Sequence, residues 1–278
     1  MTNPFPSLLR GGERPLLAAH RGVCGGNIPC NSEKAFLAAL AQGADIIELD
    51  VTRAKDGTLW VFHPGMEHVH LAQRRLLCTM KESAISRLRF VNADRTKTED
   101  PLLTLDNAFE LLKGRCLLNI DKYWMYPGPI ADCIRRHNLQ SQVLVKIPAK
   151  KRDADKAAAA APELPLFVMV RDKDEITPYI QSKGIRLAGV EALFAREDAP
   201  VVSGDSIQNY HTHGLAVWGN AIVYNYKDVL SAGHTDDKAV CGDPEFGWGW
   251  FREKGFDIVQ TDFLLAAKQY YESLVPAD

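Results

Sequence analysis

Short runs of apolar residues alternate along this chain with longer stretches in which apolar residues recur at helical spacing. The short runs are four to seven residues long, which is typical of strands buried on both faces. Nine such strands are predicted: Leu16–Ala19, Ile46–Val51, Leu59–Phe62, Leu117–Ile120, Val143–Ile147, Leu166–Val170, Leu187–Leu193, Leu215–Trp218 and Ile258–Thr261. Strands that alternate with helices indicate a parallel sheet with right-handed crossovers.

The stretches between the strands carry helix start and stop signals. "NSEKAFLAALAQG" and "TLDNAFELLKG" each open on a capping residue and close on glycine. In "DPEFGWGWFREKG", Asp243 is the predicted N-cap, Pro244 takes the first helical position and Gly255 follows the end. The charged, alanine-rich segment "AKKRDADKAAAAAPELP" predicts a solvated outer helix.

A hairpin explains why there are nine strands rather than eight. "KDG" is a turn signal between the second and third strands, and too few residues separate them for a crossover. If the turn centres on Lys55–Gly57, residues whose numbers sum to about 112 face each other, and His63 lies across from Glu48 and Asp50. The eight remaining parallel strands predict an α/β fold, a (β/α)8 TIM barrel. Residues 1–278 are predicted as a single domain, with residues 64–103 as an insertion over the barrel mouth.

Composition and charge narrow the class of protein. Of 278 residues, 46% are hydrophobic and 24% are charged, which is typical of a globular domain. The net charge of −2 favours neither nucleic acid nor an anionic membrane as a partner. No apolar run reaches the ~20 residues of a membrane span, and no secretory signal opens the chain, so we expect a cytoplasmic protein. Oligomeric state is left open.

Six cysteines occur without a C-x-x-C pair or a zinc-like spacing. Cys24 and Cys30 flank the first loop and could pair with each other. In a reducing cytosol, however, free thiols are favoured.

Polar side chains stand at the carboxyl ends of most predicted strands, where barrels of this kind collect their catalytic groups. Glu48 and Asp50 alternate along an otherwise apolar strand, so both point to the same side. The other candidates are His20, Arg21, Asp121, Lys146, Glu191 and Trp218. With His63 from the hairpin, these candidates predict one rim that carries two histidines, an arginine, a lysine and the three carboxylates of Glu48, Asp50 and Asp121.

This set of groups points to one kind of chemistry. Three crowded carboxylates repel one another unless a cation neutralises them, and oxygen ligands favour a hard divalent ion such as Mg2+, Ca2+ or Mn2+. Arginine and lysine beside such an ion suit a phosphate oxygen. Two imidazoles can divide the proton work, one assisting the attack and the other protonating the leaving alkoxide. The rim therefore predicts metal-assisted cleavage of a phosphate ester.

Each candidate also has a structural interpretation. Asp121 could cap the following segment, and Lys146 could be a surface residue whose ammonium reaches solvent. Glu191 and Trp218 could be packing and ion-pair residues. The joint placement on one rim favours the functional interpretation, because buried unpaired carboxylates are costly.

The motifs that carry these residues resemble those of the glycerophosphodiester phosphodiesterase family. They are "AHRG", "NIPCNSEKAF", "GADIIELDVTRAKDGTLWVFHPG", "AVW" and "GFDIVQTD", spread from about residue 16 to residue 263. The resemblance implies a (β/α)8 phosphodiesterase that uses a divalent cation to release an alcohol and glycerol 3-phosphate from glycerophosphodiesters.

Position by position, the resemblance implies a role for six residues. His20 and His63 correspond to the acid–base histidines, and Arg21 to the arginine of H-R-G. The implied metal ligands are Glu48, Asp50 and Asp121.

The chain departs from the family pattern at several of these positions. Cys30 replaces the acid of the P-E-N-T segment, and Pro64 follows the second histidine where aspartate is frequent. The third metal ligand is an aspartate, one methylene shorter than the usual glutamate. Tyr123 holds the place of the family's lysine, although Lys122 is adjacent and Lys146 could reach in from the next strand.

Three alternatives to the family's usual function stay open. A sugar phosphodiester, such as an opine of the agrocinopine type, fits the altered lysine, and a wide mouth would favour it over a narrow glycerol pocket. Sphingomyelinase D relatives also use an aspartate as third ligand but are secreted. A barrel that binds a phosphorylated ligand without turnover is the non-enzymatic alternative. The attacking group is either water or a substrate hydroxyl that would first give a cyclic phosphate.

Overall fold

The computed structural model describes residues 14–225 and 227–275. Eleven strands lie in these residues: β1 (Leu16–Ala19), β2 (Ile46–Arg53), β3 (Leu59–Val61), β4 (Arg89–Val91), β5 (Lys97–Pro101), β6 (Leu117–Asp121), β7 (Val143–Pro148), β8 (Leu166–Arg171), β9 (Leu187–Leu193), β10 (Ala216–Asn220) and β11 (Ile258–Thr261). Eight of them form a closed parallel barrel in the order β1, β2, β6, β7, β8, β9, β10 and β11, because β1 pairs with both β2 and β11. The predicted (β/α)8 fold is confirmed.

All nine predicted strands form, and three have the predicted bounds. The largest difference concerns β10, which starts at Ala216 rather than at Leu215 and extends to Asn220. Leu215 instead donates its backbone N–H to the carbonyl of Tyr210, in the turn that ends the preceding helix. The extension places Asn220 in the last position of the strand.

Helices follow the barrel strands on the outside of the sheet. They are α1 (Glu33–Ala41), α2 (Glu67–His70), α3 (Glu82–Ile85), α4 (Leu105–Leu112), α5 (Pro127–Arg136), α6 (Lys151–Ala160), α7 (Thr177–Ser182), α8 (Gly204–Thr212), α9 (Asp236–Val240), α10 (Trp250–Lys254) and α11 (Leu264–Ser273). Single 3-10 turns lie at Leu77–Thr79, Tyr123–Met125 and Pro200–Val202. Within the described ranges, no helix combines the length and apolar character needed to cross a membrane.

Caps and glycines explain where several helices begin and end. Ser32 and Thr104 accept the backbone N–H of Ala35 and Asn107, which begins α1 and α4 as the sequence predicts. The predicted helix after Asp243 is not wholly α-helical, since Glu245–Gly249 form a π-helix before α10.

Close packing against neighbouring elements accounts for the glycines in that π-helix. A Cβ on Gly247 would lie 2.6 Å from the Cβ of Ala239, so only glycine fits. Asp243 accepts the N–H of Phe246, and Gly255 ends α10 with a φ of +85°, as the sequence predicts.

The hairpin has the predicted register. Strand β3 runs antiparallel to β2, with Val51 opposite Val61 and Arg53 opposite Leu59. Residues 64–103 follow the hairpin with α2, α3 and the two-stranded β4–β5 sheet, and several of their apolar side chains pack on Trp60 and Phe62. That this segment covers the barrel mouth stays a prediction.

The interior of the barrel changes from apolar to polar along the strands. One apolar cluster, separate from the layer between strands and helices, contains Ala18, Ile46, Leu144, Phe167, Ala188, Ala216, Trp218 and Ile258. Because side chains alternate along a strand, the next inward positions lie two residues further on. Four of those positions hold buried polar residues: Glu48, Lys146, Asn220 and Gln260. Buried Asn119 likewise follows Leu117, which packs against the cluster. The apolar cluster thus forms a plug beneath a polar mouth.

Candidate active site

Three carboxylates meet at the mouth because two neighbouring strands carry them in register. Glu48 and Asp50 lie on β2, and Asp50 pairs with Asp121 at the end of β6. One oxygen from each of the three lies within 4.8 Å of the others. The Oδ1 atoms of Asp50 and Asp121 are buried without a hydrogen-bond partner. Unpartnered carboxylate oxygens at this spacing fit a hard divalent cation.

Two cationic side chains offset part of this negative charge. The Nε of Arg21 lies 2.9 Å from Oδ2 of Asp50, and its backbone N–H donates to Oε2 of Glu48 at 2.8 Å. Lys122 places its Nζ 2.7 Å from Oδ2 of Asp121 and 3.7 Å from Oδ1 of Asp50. Both residues have positive φ angles, 57° for Arg21 and 61° for Lys122. Of the two lysines that the sequence offered, Lys122 is the one beside the carboxylates.

The carboxylates differ in their affinity for a proton. Burial, followed by the charge of Asp50, raises the pKa of Glu48 to about 7. Burial acts in the same direction on Asp121, but the charge and hydrogen bonds of Lys122 outweigh it and lower the pKa of that group. Without a cation, Glu48 therefore holds a proton up to neutral pH, and a bound cation would displace it.

His20 is oriented by a residue from the far end of the chain. Its Nδ1 lies 2.8 Å from Oδ1 of Asp262, which directly follows β11. Burial lowers the pKa of His20, but the hydrogen bond and charge of Asp262, helped by Glu48, leave it raised. Asp262 is held in turn, since its backbone N–H donates to Asp236 at 2.7 Å. The sequence analysis missed Asp262, although its place after the last strand is the signal that identified the other candidates.

His63 returns to the same mouth from the hairpin. Its Nε2 lies 3.9 Å from Oδ1 of Asp50, and its Nδ1 lies 3.0 Å from the carbonyl oxygen of Pro64. A carbonyl only accepts, so Nδ1 carries the hydrogen and the neutral ring keeps a lone pair on Nε2. Burial is the main cause that lowers the pKa of His63.

The other side of the mouth is built from a buried ion pair. The Nζ of Lys146 lies 2.9 Å from Oε2 of Glu191 and 3.5 Å from the centre of the Trp218 ring. Asn220 donates from Nδ2 to Oε1 of Glu191 at 2.7 Å. Lys146 is buried, so the interpretation as a surface residue is wrong. Lys146 and Glu191 line the mouth, whereas Trp218 lies against Lys146 in the apolar plug.

A cavity of about 130 Å3 joins the two sides of the mouth. Its lining includes His20, Arg21, Glu48, His63, Asp121, Lys122, Lys146 and Glu191. Seven of the nine predicted site residues therefore border one small space, whereas Asp50 and Trp218 are not part of its lining. Two imidazoles with different proton affinities beside a carboxylate cluster can move protons at a ligand held by a cation.

The first loop contributes a residue that the sequence analysis did not single out. Asn31, at a φ of 57°, donates from Nδ2 to Oδ2 of Asp50 at 3.0 Å and accepts the backbone N–H of Asp50. Beside it, the Sγ of Cys30 lies 3.8 Å from Nε2 of His70. Cys24 and Cys30 are both free thiols. Asn31 thus fixes the orientation of one carboxylate of the cluster.

Known proteins share both sequence and fold with this chain. A curated Glycerophosphodiester phosphodiesterase of Bacillus altitudinis is 32% identical over 139 residues. The chain is similar to glycerophosphodiester phosphodiesterases. The resemblance that the motifs indicated is confirmed. The alignment covers 46% of this chain and 55% of the relative, so the chain spans about half the length of the curated relative it matches.

Solved structures extend the likeness of fold to almost the whole chain. A Glycerophosphoryl diester phosphodiesterase from Parabacteroides distasonis superposes with a TM-score of 0.77 and 18% identity, covering 99% of this chain and 92% of that one. An Oleispira antarctica phosphodiesterase in complex with the product sn-glycerol-3-phosphate gives 0.68 and 17%, covering 94% and 97%. A sequence family described as a domain of unknown function matches residues 167–271.

Proposed function

We propose that this chain is a metal-dependent phosphodiesterase that hydrolyses a glycerophosphodiester-like small molecule to an alcohol and a phosphomonoester. One observation carries the proposal: oxygens of Glu48, Asp50 and Asp121 lie within 4.8 Å of one another, in a mouth that also holds His20 and His63. The curated relative and the superposed enzymes support the same reaction. A binding protein without turnover would not need a pair of oriented imidazoles.

The acidic cluster would hold one divalent cation, Mg2+, Ca2+ or Mn2+. When bound, the ion supplies positive charge to a phosphate oxygen as the ester is cleaved. The chain's own cations suit the remaining phosphate oxygens, because the guanidinium of Arg21 and the ammonium of Lys122 already face the cluster. Asn31 keeps Asp50 in its liganding orientation.

The surroundings of the two histidines suit one of them to act as general base and the other as general acid. His63, with Nδ1–H bound to the Pro64 carbonyl, presents a lone pair on Nε2 and serves as the base that takes a proton from the attacking hydroxyl. His20, whose Nδ1–H donates to Asp262, has a raised pKa that favours its protonated form, and it serves as the acid that protonates the leaving oxygen. The attacking hydroxyl belongs to water or to the substrate itself.

Two adjoining spaces are available to a substrate. The cavity of about 130 Å3 at the mouth shares His20 and Arg21 with a second cavity of about 700 Å3. The smaller cavity would take the phosphate and the larger one would take a substituent of the diester. In this proposal Lys146 and Glu191 contact the hydroxyl groups, and Trp218 supports Lys146 from below. We also propose that residues 64–103 border the mouth and that the substrate is met in the cytoplasm.

A product assay on purified protein tests this function. Glycerophosphocholine, glycerophosphoinositol and a sugar phosphodiester are incubated with Mg2+, Mn2+ or Ca2+, and with EDTA. We expect turnover of a glycerophosphodiester only with a cation. Glu48→Gln should reduce kcat/KM roughly 10⁴-fold, because it removes one ligand and its charge. Glu253→Gln, on the exposed face of α10, is the matched control and should leave turnover unchanged.

Each alternative gives a different result in the same assay. Phosphodiester binding without product under all cations would support a non-catalytic barrel. Turnover of the sugar phosphodiester alone would transfer the proposal to that substrate class. Full activity after exhaustive chelation would overturn the metal site.

A further inference from the structure

A second cluster of metal-ligating side chains lies on the outside of the barrel. Asp106 is in the first turn of α4, and Cys133 and His137 lie one helical turn apart at the end of α5. One ligand atom from each lies within 4.8 Å of the others. None of these three residues is among those lining the cavity at the mouth.

The atoms of this cluster converge on a single carboxylate oxygen. The thiol of Cys133 donates to Oδ1 of Asp106 at 3.6 Å, and Nε2 of His137 lies 2.9 Å from the same oxygen. Around a tetrahedral zinc ion, with bonds of about 2.0 Å to nitrogen and oxygen, these two atoms would be about 3.3 Å apart. A separation of 2.9 Å is a few tenths of an ångström short of that arrangement.

The histidine is also oriented as metal ligands usually are. Its Nδ1 lies 2.8 Å from Oε1 of Glu110, one turn further along α4. A carboxylate on one ring nitrogen leaves the other directed at the ion and makes it a better ligand. The ring of Phe109 packs edge-on against His137, with centroids 5.6 Å apart, and limits its rotation.

We propose that Asp106, Cys133 and His137 form a second metal site, for Zn2+ or a similar borderline-soft divalent ion. Sulfur, nitrogen and oxygen supply three ligands of a tetrahedron, and solvent takes the fourth position. The thiolate separates this site from the mouth, whose oxygen ligands favour hard ions. A bound ion would join α4 to α5 and thereby stabilise the outer layer of the barrel.

Charge and protons balance when the ion binds to this site. Without metal, both ring nitrogens of His137 face carboxylates. Binding forms bonds from the ion to Sγ, Nε2 and Oδ1, and the thiol proton, with any proton on Nε2, leaves to solvent. The thiolate, Asp106 and Glu110 then carry three negative charges. The divalent ion and Arg136, whose Nη2 lies 2.9 Å from Asp106, carry three positive ones.

Cobalt is the probe for the test, because thiolate coordination gives Co2+ a charge-transfer absorption band that oxygen ligands do not. The full chain, stripped of metal, is titrated with Co2+ and then with Zn2+. We expect one equivalent to produce the band and release at least the thiol proton in weakly buffered solution, and Zn2+ to abolish the band. Cys133→Ser should remove it, and His137→Gln should weaken cobalt binding at least 10-fold.

The controls separate this site from the mouth and from other thiols. Cys241→Ser changes an exposed cysteine and should leave the band intact, as should Glu48→Gln, which disables the mouth. Glu110→Gln should weaken binding about 10-fold to 100-fold by removing the partner of Nδ1. If Cys133→Ser fails to fold, His137→Gln and Glu110→Gln decide, since both change partly exposed side chains.

Two results would overturn the proposal. One is a folded wild-type chain that gives no cobalt band. The other is a band that persists unchanged in Cys133→Ser, or in both His137→Gln and Glu110→Gln. Neither result bears on phosphodiester turnover, which the Glu48→Gln assay measures separately.

Discussion

The two sides of the barrel mouth differ in how their buried charges are compensated. The acidic wall, formed by Glu48, Asp50 and Asp121, leaves two buried carboxylate oxygens without a hydrogen-bond partner. The paired wall, formed by Lys146, Glu191 and Trp218, joins its ammonium and carboxylate at 2.9 Å and covers the ammonium with an aromatic ring. The acidic wall sets three carboxylates against two cations, Arg21 and Lys122, and keeps an excess of negative charge. The paired wall matches one ammonium to one carboxylate, although Nε1 of Trp218 has no hydrogen-bond partner.

The difference has a thermodynamic meaning. Burying excess charge costs free energy of folding, and in the proposed function a bound cation would recover part of that cost. A paired charge is different, because removing one partner leaves the other uncompensated. Substitutions in the acidic wall should therefore change activity more than stability, and substitutions in the paired wall should do the reverse.

After the loss of Glu48 already described, the largest effect is expected at the histidine beside the acidic wall. His20→Ala removes the proposed acid and should reduce kcat about 10³-fold with little change in the unfolding transition. Steady-state kinetics and circular dichroism measure the two quantities. Wild-type turnover in a normally folded variant would contradict the mechanism.

The paired wall should respond in the opposite sense. Lys146→Met leaves Glu191 buried without its partner and should lower the free energy of unfolding by about 3 kcal/mol or more. Urea denaturation measures this, and the double variant with Glu191→Gln should recover part of the loss. A double variant less stable than Lys146→Met would show that the two residues do not act as a pair.

A smaller effect is expected where Asp262 holds His20. Asp262 raises the pKa of His20, so Asp262→Asn should lower it and move the alkaline limb of the kcat profile to lower pH. Activity at neutral pH should fall about tenfold for a shift of one unit. The acidic limb, which depends on a deprotonated His63, should stay in place. A shift of both limbs would count against separate roles for the two imidazoles.

The smallest effect concerns stability without metal. The pKa of Glu48 is about 7 in the folded chain against an ordinary 4.5, so the folded state holds a proton that the unfolded state has released. Stability in EDTA should therefore fall as pH rises from about 4.5 to 7. Glu48→Gln should remove that slope and raise Tm at pH 8 by about 2–4 °C. An equal dependence of stability on pH in the wild type and the variant would indicate that the fold does not raise the pKa of Glu48.

Much of the fold could be predicted because its signals are local. Periodicity locates the strands, and "KDG" fixes the register that brings His63 back beside Asp50. The position of each polar residue at a strand end then predicts the mouth, since all parallel strands end at the same face.

What could not be predicted depends on backbone conformation or on distant contacts. Lys122 reaches the carboxylates through a φ of +61°, which its sequence does not signal. Asp262 and His20 are 242 positions apart and meet only because the first and last strands pair. Gly247 of the π-helix packs so closely against α9 that a Cβ would not fit, a contact that no local pattern reveals.

The pairing of β1 with β11 has a consequence for how the protein folds during synthesis. A growing polypeptide that has reached β6 already contains Glu48, Asp50 and Asp121, yet His20 still lacks its carboxylate partner. Only when the ribosome has released the final strand can the barrel close and bring Asp262 to the ring. The hydrogen bond between His20 and Asp262 is therefore among the last contacts of the barrel that can form during synthesis.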